Sequence, residues 1–410
     1  MKDAETGYLR VDVVNEENNF PISGADVTIA YTDGGMPEEV LQTNNSGQTA
    51  SLALRTPPVA LSLQSGTVKP YADYNVFITA DGFEPLAIKG TEVLSGVTAI
   101  QPARMIPLSI AAGQQENIYI PDHTLYGMYP PKIAEAEIKP VNESGEIVLS
   151  RVVVPQTIIV HDGVPTDASA KDYYVPYRDY IKNVASSEIY ATWPQATIIA
   201  NVLAIMSFTL NRVYTEWYRN QGYDFTITSS TAFDHKWIFG RDIFDTIAVI
   251  VDDIFDNYLA RPGVKQPILT QYCDGKRVSC PNWMTQWGSC SLGEQGYDPI
   301  EILRYYYGND MYVNTAEMIA GIPASFPGEL TIGSSGAKVK QLQEQLDIIA
   351  GIYTAIPGVS PDGIYGPATA ASVKKFQSVF GLPQTGVTDF ATWYKISHIY
   401  VGITRIAELS

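Results

Sequence analysis

Residues 362–382 read DGIYGPATAASVKKFQSVFGL. The Asp362-Gly363 turn opens the stretch. Val373, Phe376 and Phe380 then recur at helical spacing and predict a helix with one apolar face. Upstream, IGSSGAKVKQLQEQL (332–346) repeats the arrangement: a glycine turn, then Val339, Leu342 and Leu346 on one helical face. Downstream, GVTDFATWYKI (386–396) predicts a third helix that starts at a Thr388/Asp389 cap. Residues 329–400 therefore read as a small three-helix domain.

The preceding segment, 156–325, alternates helical and extended patterns. Ile181, Val184 and Ala185 predict a helix from Lys171 to about Glu188, and Trp193-Pro194 breaks it because a residue before proline avoids the helical region. A second helix is expected from Gln195 to Trp217, apolar on much of its surface and hence central, with Gly222 ending it. DFTITSSTAFDHKWIFG (224–240) reads as strand and loop. Helices are expected again over Ile243–Arg261 and Ile300–Tyr307.

Residues 1–110 hold short runs of alternating polar and apolar residues, separated by turn signals such as TDGG, NNSG and ADG. They predict an N-terminal antiparallel β-sandwich. Residues 111–155 form a connector with Pro/Gly punctuation and an exposed turn, NESGE, of the kind proteases cut. The expected fold class is multidomain α+β.

A chain of 410 residues is long enough for several cores. The net charge is -17, of which residues 1–150 carry -11 (8 Lys+Arg against 19 Asp+Glu). No basic patch or Lys/Arg run is present, which argues against nucleic acid as a partner. The 26 Tyr and 6 Trp suit flat apolar surfaces with polar edges, as in sugar-binding clefts. MKDAETGYLR lacks the apolar core of a secretion leader, so export would need another route or a trimmed leader. TIIANVLAIMSFTL is short and interrupted by Asn201 and Ser207, so it reads as a buried helix and no membrane span is expected. Cys273, Cys280 and Cys290 have no histidine among them, so no zinc site and no cofactor is expected. Cys273–Cys280 is either a bridge in an oxidising compartment or, with Cys290, a set of buried thiols.

The three-helix segment, with its G-x-x-G-x-x-V-x-x-L-Q and D-G-x-Y-G-x-x-T-x-x-x-V-x-x-F-Q runs, closely resembles the bacterial peptidoglycan-binding domain. PISGADVTI, TNNSGQTASLAL and YNVFITADGF resemble carboxypeptidase-regulatory-like (transthyretin-like) domains. DYIKNVASSEIYATWPQATIIANVLAIMSFTL, TSSTAFDHKWIFG and WMTQWGSCSLGEQGYDPIEILRYYYG together resemble the catalytic core of the stage II sporulation protein D (SpoIID) family. The whole arrangement is similar to clostridial spore cortex-lytic enzymes.

What these resemblances imply is a lytic transglycosylase of spore cortex peptidoglycan, made as a zymogen and located in the cortex/coat region outside the forespore core. A subtilisin-like germination protease would remove the N-terminal segment by cutting near Ser150 to Val154. Glu188 falls on the family's catalytic glutamate, and Gln286 on its motif glutamine, expected to hydrogen-bond the glycan. The family's A-A-R-T run is here Ala204-Ile205-Met206-Ser207, so the arginine's role is absent or moved to Arg212.

Such a reaction suits a single acid. One carboxyl protonates the leaving oxygen and then, as base, deprotonates the muramic 6-hydroxyl that closes the 1,6-anhydro ring. Glu188 would have to stay protonated, which a helix C-terminus and the neighbours Ile189, Tyr190 and Trp193 favour. Trp193 is also expected at the substrate. Asp234, His235 and Lys236 are either cleft contacts that bind sugar or tune Glu188, or a solvated turn. Trp283, with Trp287, either stacks on sugar or packs in the core. His161-Asp162 reads as a hinge or loop turn. Two other readings stand beside the enzyme: an inactive wall-anchored peptidoglycan-binding scaffold, and a hydrolase in which Asp234 activates water.

Overall fold

A computed structural model describes residues 4–32, 39–108, 116–139, 149–320 and 326–404. The NESGE turn lies outside the described residues. The N-terminal unit carries β1 (Glu5–Asn15), β2 (Asp26–Tyr31), β3 (Glu39–Gln42), β4 (Leu52–Thr56), β5 (Ala72–Thr79), β6 (Leu86–Val93), β7 (Thr98–Met105) and β8 (Glu116–Tyr119). Alternation explains the strands: Leu9, Val11 and Val13 of β1 are fully buried, as are Val76 and Ile78 of β5. One sheet runs β3-β2-β5-β6-β8.

The expectation of purely antiparallel pairing is corrected. β1 pairs parallel with β7, Tyr8 opposite Thr98, and β6 pairs parallel with β8. Parallel neighbours need a long crossover, and the chain between β1 and β7 supplies one. β8 comes from the expected connector.

The middle unit carries β9 (Val153–Val154), β10 (Thr157–His161), β11 (Asp172–Pro176), α1 (Tyr177–Glu188), α2 (Gln195–Tyr214), β12 (Ile227–Thr228), β13 (Ile243–Phe244), α3 (Asp245–Ile254) and β14 (Asn257–Ala260). It continues through β15 (Tyr272–Cys273), β16 (Met284–Thr285), α4 (Gln286–Glu294), α5 (Pro299–Tyr307), β17 (Tyr312–Thr315) and β18 (Met318–Ile319). α2 is the central helix: Ala200, Val202, Ala204, Met206, Phe208 and Leu210 are fully buried. By length and composition it is also the one described helix apolar enough to cross a membrane, yet 83% of that window is buried inside the fold.

Several boundaries differ from the sequence reading. Lys171–Pro176 is not helical: Asp172–Pro176 pairs with β10, and α1 starts only after Pro176. α2 stops at Tyr214, and Gly222 instead closes a separate 3-10 turn with a φ of 86°. The helix expected over Ile243–Arg261 is α3 flanked by two strands. Of these, β13 leaves the middle unit and pairs with β7, Phe244 opposite Ala99. The two units thus share a sheet. α4 was not foreseen. It packs close to α2 because Gly293 lies where a Cβ would sit 2.1 Å from the Thr197 hydroxyl.

The C-terminal unit is α6 (Ala337–Ile352), α7 (Pro367–Val379) and α8 (Phe390–Thr404). Val339, Leu342, Leu346, Val373 and Phe376 are fully buried, as the spacing requires. The paired glutamines have a clear role. Gln343 Oε1 accepts the Gly363 N–H at 2.8 Å, and Gln377 Oε1 accepts the Gly386 N–H at 2.8 Å. Each helix thereby fixes the turn before its successor. Asp389 caps α8 by accepting the Thr392 N–H at 2.9 Å.

Candidate active site

Glu188 is the last residue of α1, and each of its carboxylate oxygens accepts one hydrogen bond. Oε1 accepts the Lys236 backbone N–H at 2.7 Å. Oε2 accepts Gln286 Nε2 at 3.1 Å, and the same nitrogen donates to the Glu188 carbonyl at 2.9 Å. Gln286 opens α4, which directs its side chain back to the end of α1. The buried Tyr272 hydroxyl faces the same carboxylate without making a hydrogen bond of good geometry. Glu188 is only 5% exposed. Burial pushes its pKa above the usual carboxylate range, although Lys132, the Lys236 N–H, Tyr272 and Gln286 all pull it down. A carboxyl so placed is suited to donate a proton.

Lys132 comes from the connector. Its ammonium sits over the Phe208 ring at 4.7 Å and the Tyr272 ring at 4.8 Å, and it donates to the Asp234 carbonyl. Burial lowers its pKa to about 8, with Glu188 and Asp234 opposing the shift. Upstream in the connector, Thr124 Oγ1 donates to the Ser187 carbonyl at 2.9 Å. The buried His123 ring packs 4.5 Å from Tyr190, and burial holds it well below its ordinary pKa and so neutral. The connector therefore lies across the end of α1.

The sequence-predicted residues separate into groups. Glu188, Lys236 and Gln286 converge. Lys236 does so through its backbone, while its side chain lies over the Tyr129 ring at 5.5 Å. Asp234 is not a cleft residue. It is 0% exposed, and its carboxylate accepts from Arg212 Nε at 2.7 Å, the Tyr218 hydroxyl at 2.6 Å, and the Thr228 N–H at 2.9 Å and hydroxyl at 2.7 Å. These donors fix the loop that presents Lys236. His235 is likewise buried; Tyr180 bonds its Nδ1 at 3.1 Å, and its ring stacks on Tyr272 at 5.8 Å. Because both are enclosed, the reading of Asp234 and His235 as sugar contacts gives way to a supporting role.

Trp193 is 3% exposed; its indole donates to the Ser62 carbonyl of the N-terminal unit at 2.8 Å, and its ring lies 5.2 Å from Trp287. Trp283 is partly exposed, just before β16. His161 pairs across strands with Asp172, Nδ1 to Oδ1 at 2.7 Å. Cys273 and Cys280 form a disulfide, and Cys290 is a buried free thiol. Among the described residues no group of His, Cys, Asp and Glu is arranged to hold a metal ion.

Sequence reasoning missed Lys132, His123 and Tyr272. Lys132 sits in a polar Pro-rich stretch with no periodicity, and Tyr272 was visible only as the neighbour of a cysteine.

A family model described as a peptidoglycan binding domain matches residues 335–396. The C-terminal unit is a peptidoglycan-binding domain. The chain is 42% identical over 72 residues to a zinc D-Ala-D-Ala carboxypeptidase of Streptomyces albus G, covering 18% of this chain and 27% of that protein. It is 34% identical over 85 residues to an uncharacterised protein in the bpoA1 3′ region of Kitasatospora aureofaciens, covering 20% of this chain and 66% of that one. The chain thus spans less than two thirds of the length of both.

Among solved structures, catechol 1,2-dioxygenase from Acinetobacter sp. ADP1 aligns at a TM-score of 0.20 and 13% identity, over 28% of this chain and 59% of that one. Hydroxyquinol 1,2-dioxygenase from Pseudomonas putida DLL-E4 aligns at 0.19 and 13%, over 26% and 57%. Likenesses at this level carry no functional argument.

Proposed function

We propose that the chain is the zymogen of a lytic transglycosylase that cleaves the MurNAc–GlcNAc bond of spore cortex peptidoglycan, leaving 1,6-anhydro-muramic ends during germination. The observation that carries this reading is Glu188. It is a buried carboxyl with a raised pKa, oriented by Gln286 and the Lys236 N–H, in a chain with a peptidoglycan-binding domain. The resemblance to the SpoIID family, and in overall arrangement to the clostridial spore cortex-lytic enzyme SleC, supports the same reading.

The protonated Glu188 gives its proton to the glycosidic oxygen as the bond to the muramic C1 breaks. The resulting carboxylate, stabilised by the Lys236 N–H and Gln286, then takes the proton of the 6-hydroxyl as that oxygen closes on C1. Proton and charge balance without water. A hydrolase would need a second carboxylate free to activate water. Asp234 was the candidate, and its oxygens are occupied by Arg212, Tyr218 and Thr228, which favours the transglycosylase.

Activation by a subtilisin-like germination protease suits the local exposure. Ser150 and Arg151 are exposed, whereas Val152 and Val154 are buried, so the accessible bonds lie on the N-terminal side of Val152. The connector over Glu188 would then be free to leave.

The test is product chemistry. Purified cortex treated with the proteolysed chain should release muropeptides ending in anhydro-muramic acid, as resolved by mass spectrometry. Reducing ends would indicate the hydrolase, and binding without release the scaffold.

A further inference from the structure

The connector crosses the middle unit in a built seat. From Ile133 to Lys139 its backbone is bonded at every second residue. Gln271 Nε2 donates to the Ile133 carbonyl at 2.8 Å, and Gln271 Oε1 accepts the Glu135 N–H at 2.9 Å. The Leu269 N–H donates to the Glu137 carbonyl at 3.1 Å. Gln266 accepts the Lys139 N–H at 3.0 Å and donates to the Lys139 carbonyl at 2.9 Å.

Two carboxylates project from this run into two guanidinium forks. Arg212 holds Glu135 through both terminal nitrogens, at 2.9 and 2.6 Å. Arg261 holds Glu137 at 2.7 and 2.9 Å. Bidentate forks of this kind recognise carboxylates by shape as well as charge.

Both arginines also have a carboxylate within the middle unit itself. Arg212 Nε donates to Asp234 at 2.7 Å, and Arg261 pairs with Asp310 at 2.5 Å. Neither is left as an unpaired charge if the connector departs. Gln266 Oε1 also accepts Asn211 Nδ2 at 3.4 Å, and the Gln271 N–H donates to the Leu269 carbonyl at 2.9 Å, so both belong to the middle unit's wall. The seat is therefore a property of the middle unit, and the connector is its present occupant. Next to this run the connector's Lys132 lies over the Phe208 and Tyr272 rings and donates to the Asp234 carbonyl, which brings the occupant to the Glu188 site.

We infer that this groove is a binding site for an extended, carboxylate-bearing peptide. Its ligand after activation is the acidic peptide stem of peptidoglycan, and in the uncut chain it is filled by residues 133–139 as an internal competitor. The inference rests on the proposed wall-lytic function.

The experiment uses the full chain carrying Glu135→Gln and Glu137→Gln, which removes both connector carboxylates from the forks and leaves Lys139, the ion-pair partner of Glu135, in place. The probe is a fluorescent synthetic peptide of residues 131–139, read by anisotropy, so no turnover is involved and an inactive enzyme does not affect the result. The peptide should bind at least 10-fold more tightly to this variant than to the wild-type chain. It should also bind at least 10-fold more tightly than the same peptide bearing Glu135→Gln and Glu137→Gln. Raising the salt concentration should weaken it, and a soluble muramyl tripeptide should displace it.

Equal binding of the two peptides, or none, overturns the groove. Binding that the muramyl tripeptide does not displace overturns the wall-peptide ligand. Should the double variant fail to fold, Glu137→Gln alone, at the more exposed fork, is read the same way for the Arg261 half.

Discussion

Gln286 holds Glu188 twice with one nitrogen, donating to its main-chain carbonyl at 2.9 Å and to its carboxylate at 3.1 Å. The first α4 side chain thereby fixes both the position and the protonation balance of the last α1 side chain. Replacing it tests positioning directly. Gln286→Leu removes a donor that lowers the Glu188 pKa, so that pKa should rise further. The basic limb of the pH–rate profile should move to higher pH, and kcat should fall by roughly 10- to 100-fold through lost orientation. A uniform fall with an unmoved pH profile would make Gln286 merely structural.

Asp234 provides the contrast. Its carboxylate is buried and neutralises Arg212. Asp234→Asn should weaken four buried hydrogen bonds while Arg212 keeps Glu135, and should cost about 1–3 kcal/mol of stability, measured by urea unfolding. The activity of the molecules that remain folded should survive. Selective loss of turnover with intact stability would restore Asp234 as a chemical participant.

The junction of the N-terminal and middle units should respond to pH. Glu92 of β6 meets Arg241 Nη2 at 2.9 Å, and its backbone N–H donates to Asp242. Burial pushes Glu92 up to about 8; Arg241 opposes, while Asp242 and Asp73 add to the shift. The folded pKa exceeds the unfolded one. The contribution is therefore complete below about pH 4.5 and is lost as pH rises through about 8. The Tm should fall across that window, and Glu92→Gln should flatten the fall. A wild-type Tm that stays level from pH 5 to 9 would contradict this.

The Cys273–Cys280 disulfide closes a short loop, with a sequence separation of 7, between Tyr272 and Met284. Loop-closure entropy for so short a ring is about 2.5 kcal/mol. Cys280→Ser should lower the Tm by a few degrees and, by loosening Tyr272, weaken activity more than wall binding. Equal losses in both would place the bridge's effect on the fold at large.

The C-terminal unit was legible because its information is local. Val339, Leu342 and Leu346 declare a helical face, and Asp389 declares a cap. Glu188 and Gln286 were legible only as motif residues. Their contact joins positions 98 apart, which no periodicity encodes. The errors share this cause. Pro176 moved the start of α1 because β10 offered Asp172–Pro176 a pairing partner. Ile243–Phe244, apolar enough for a helix, joined the edge of β7 instead. Lys132 and Glu135 were invisible because a polar connector announces nothing until Glu188 and Arg212 are placed beside it.

The central claim is that Glu188 is the acid of a zymogen, and one comparison tests it most directly: release of anhydro-muramic products from purified cortex by the intact chain, by the chain cut on the N-terminal side of Val152, and by the cut chain carrying Glu188→Gln. The account predicts release from the cut chain alone and a loss of at least 100-fold in the variant, with wall binding unchanged. Equal release by the cut chain and its Glu188→Gln form, or none from either, would contradict it.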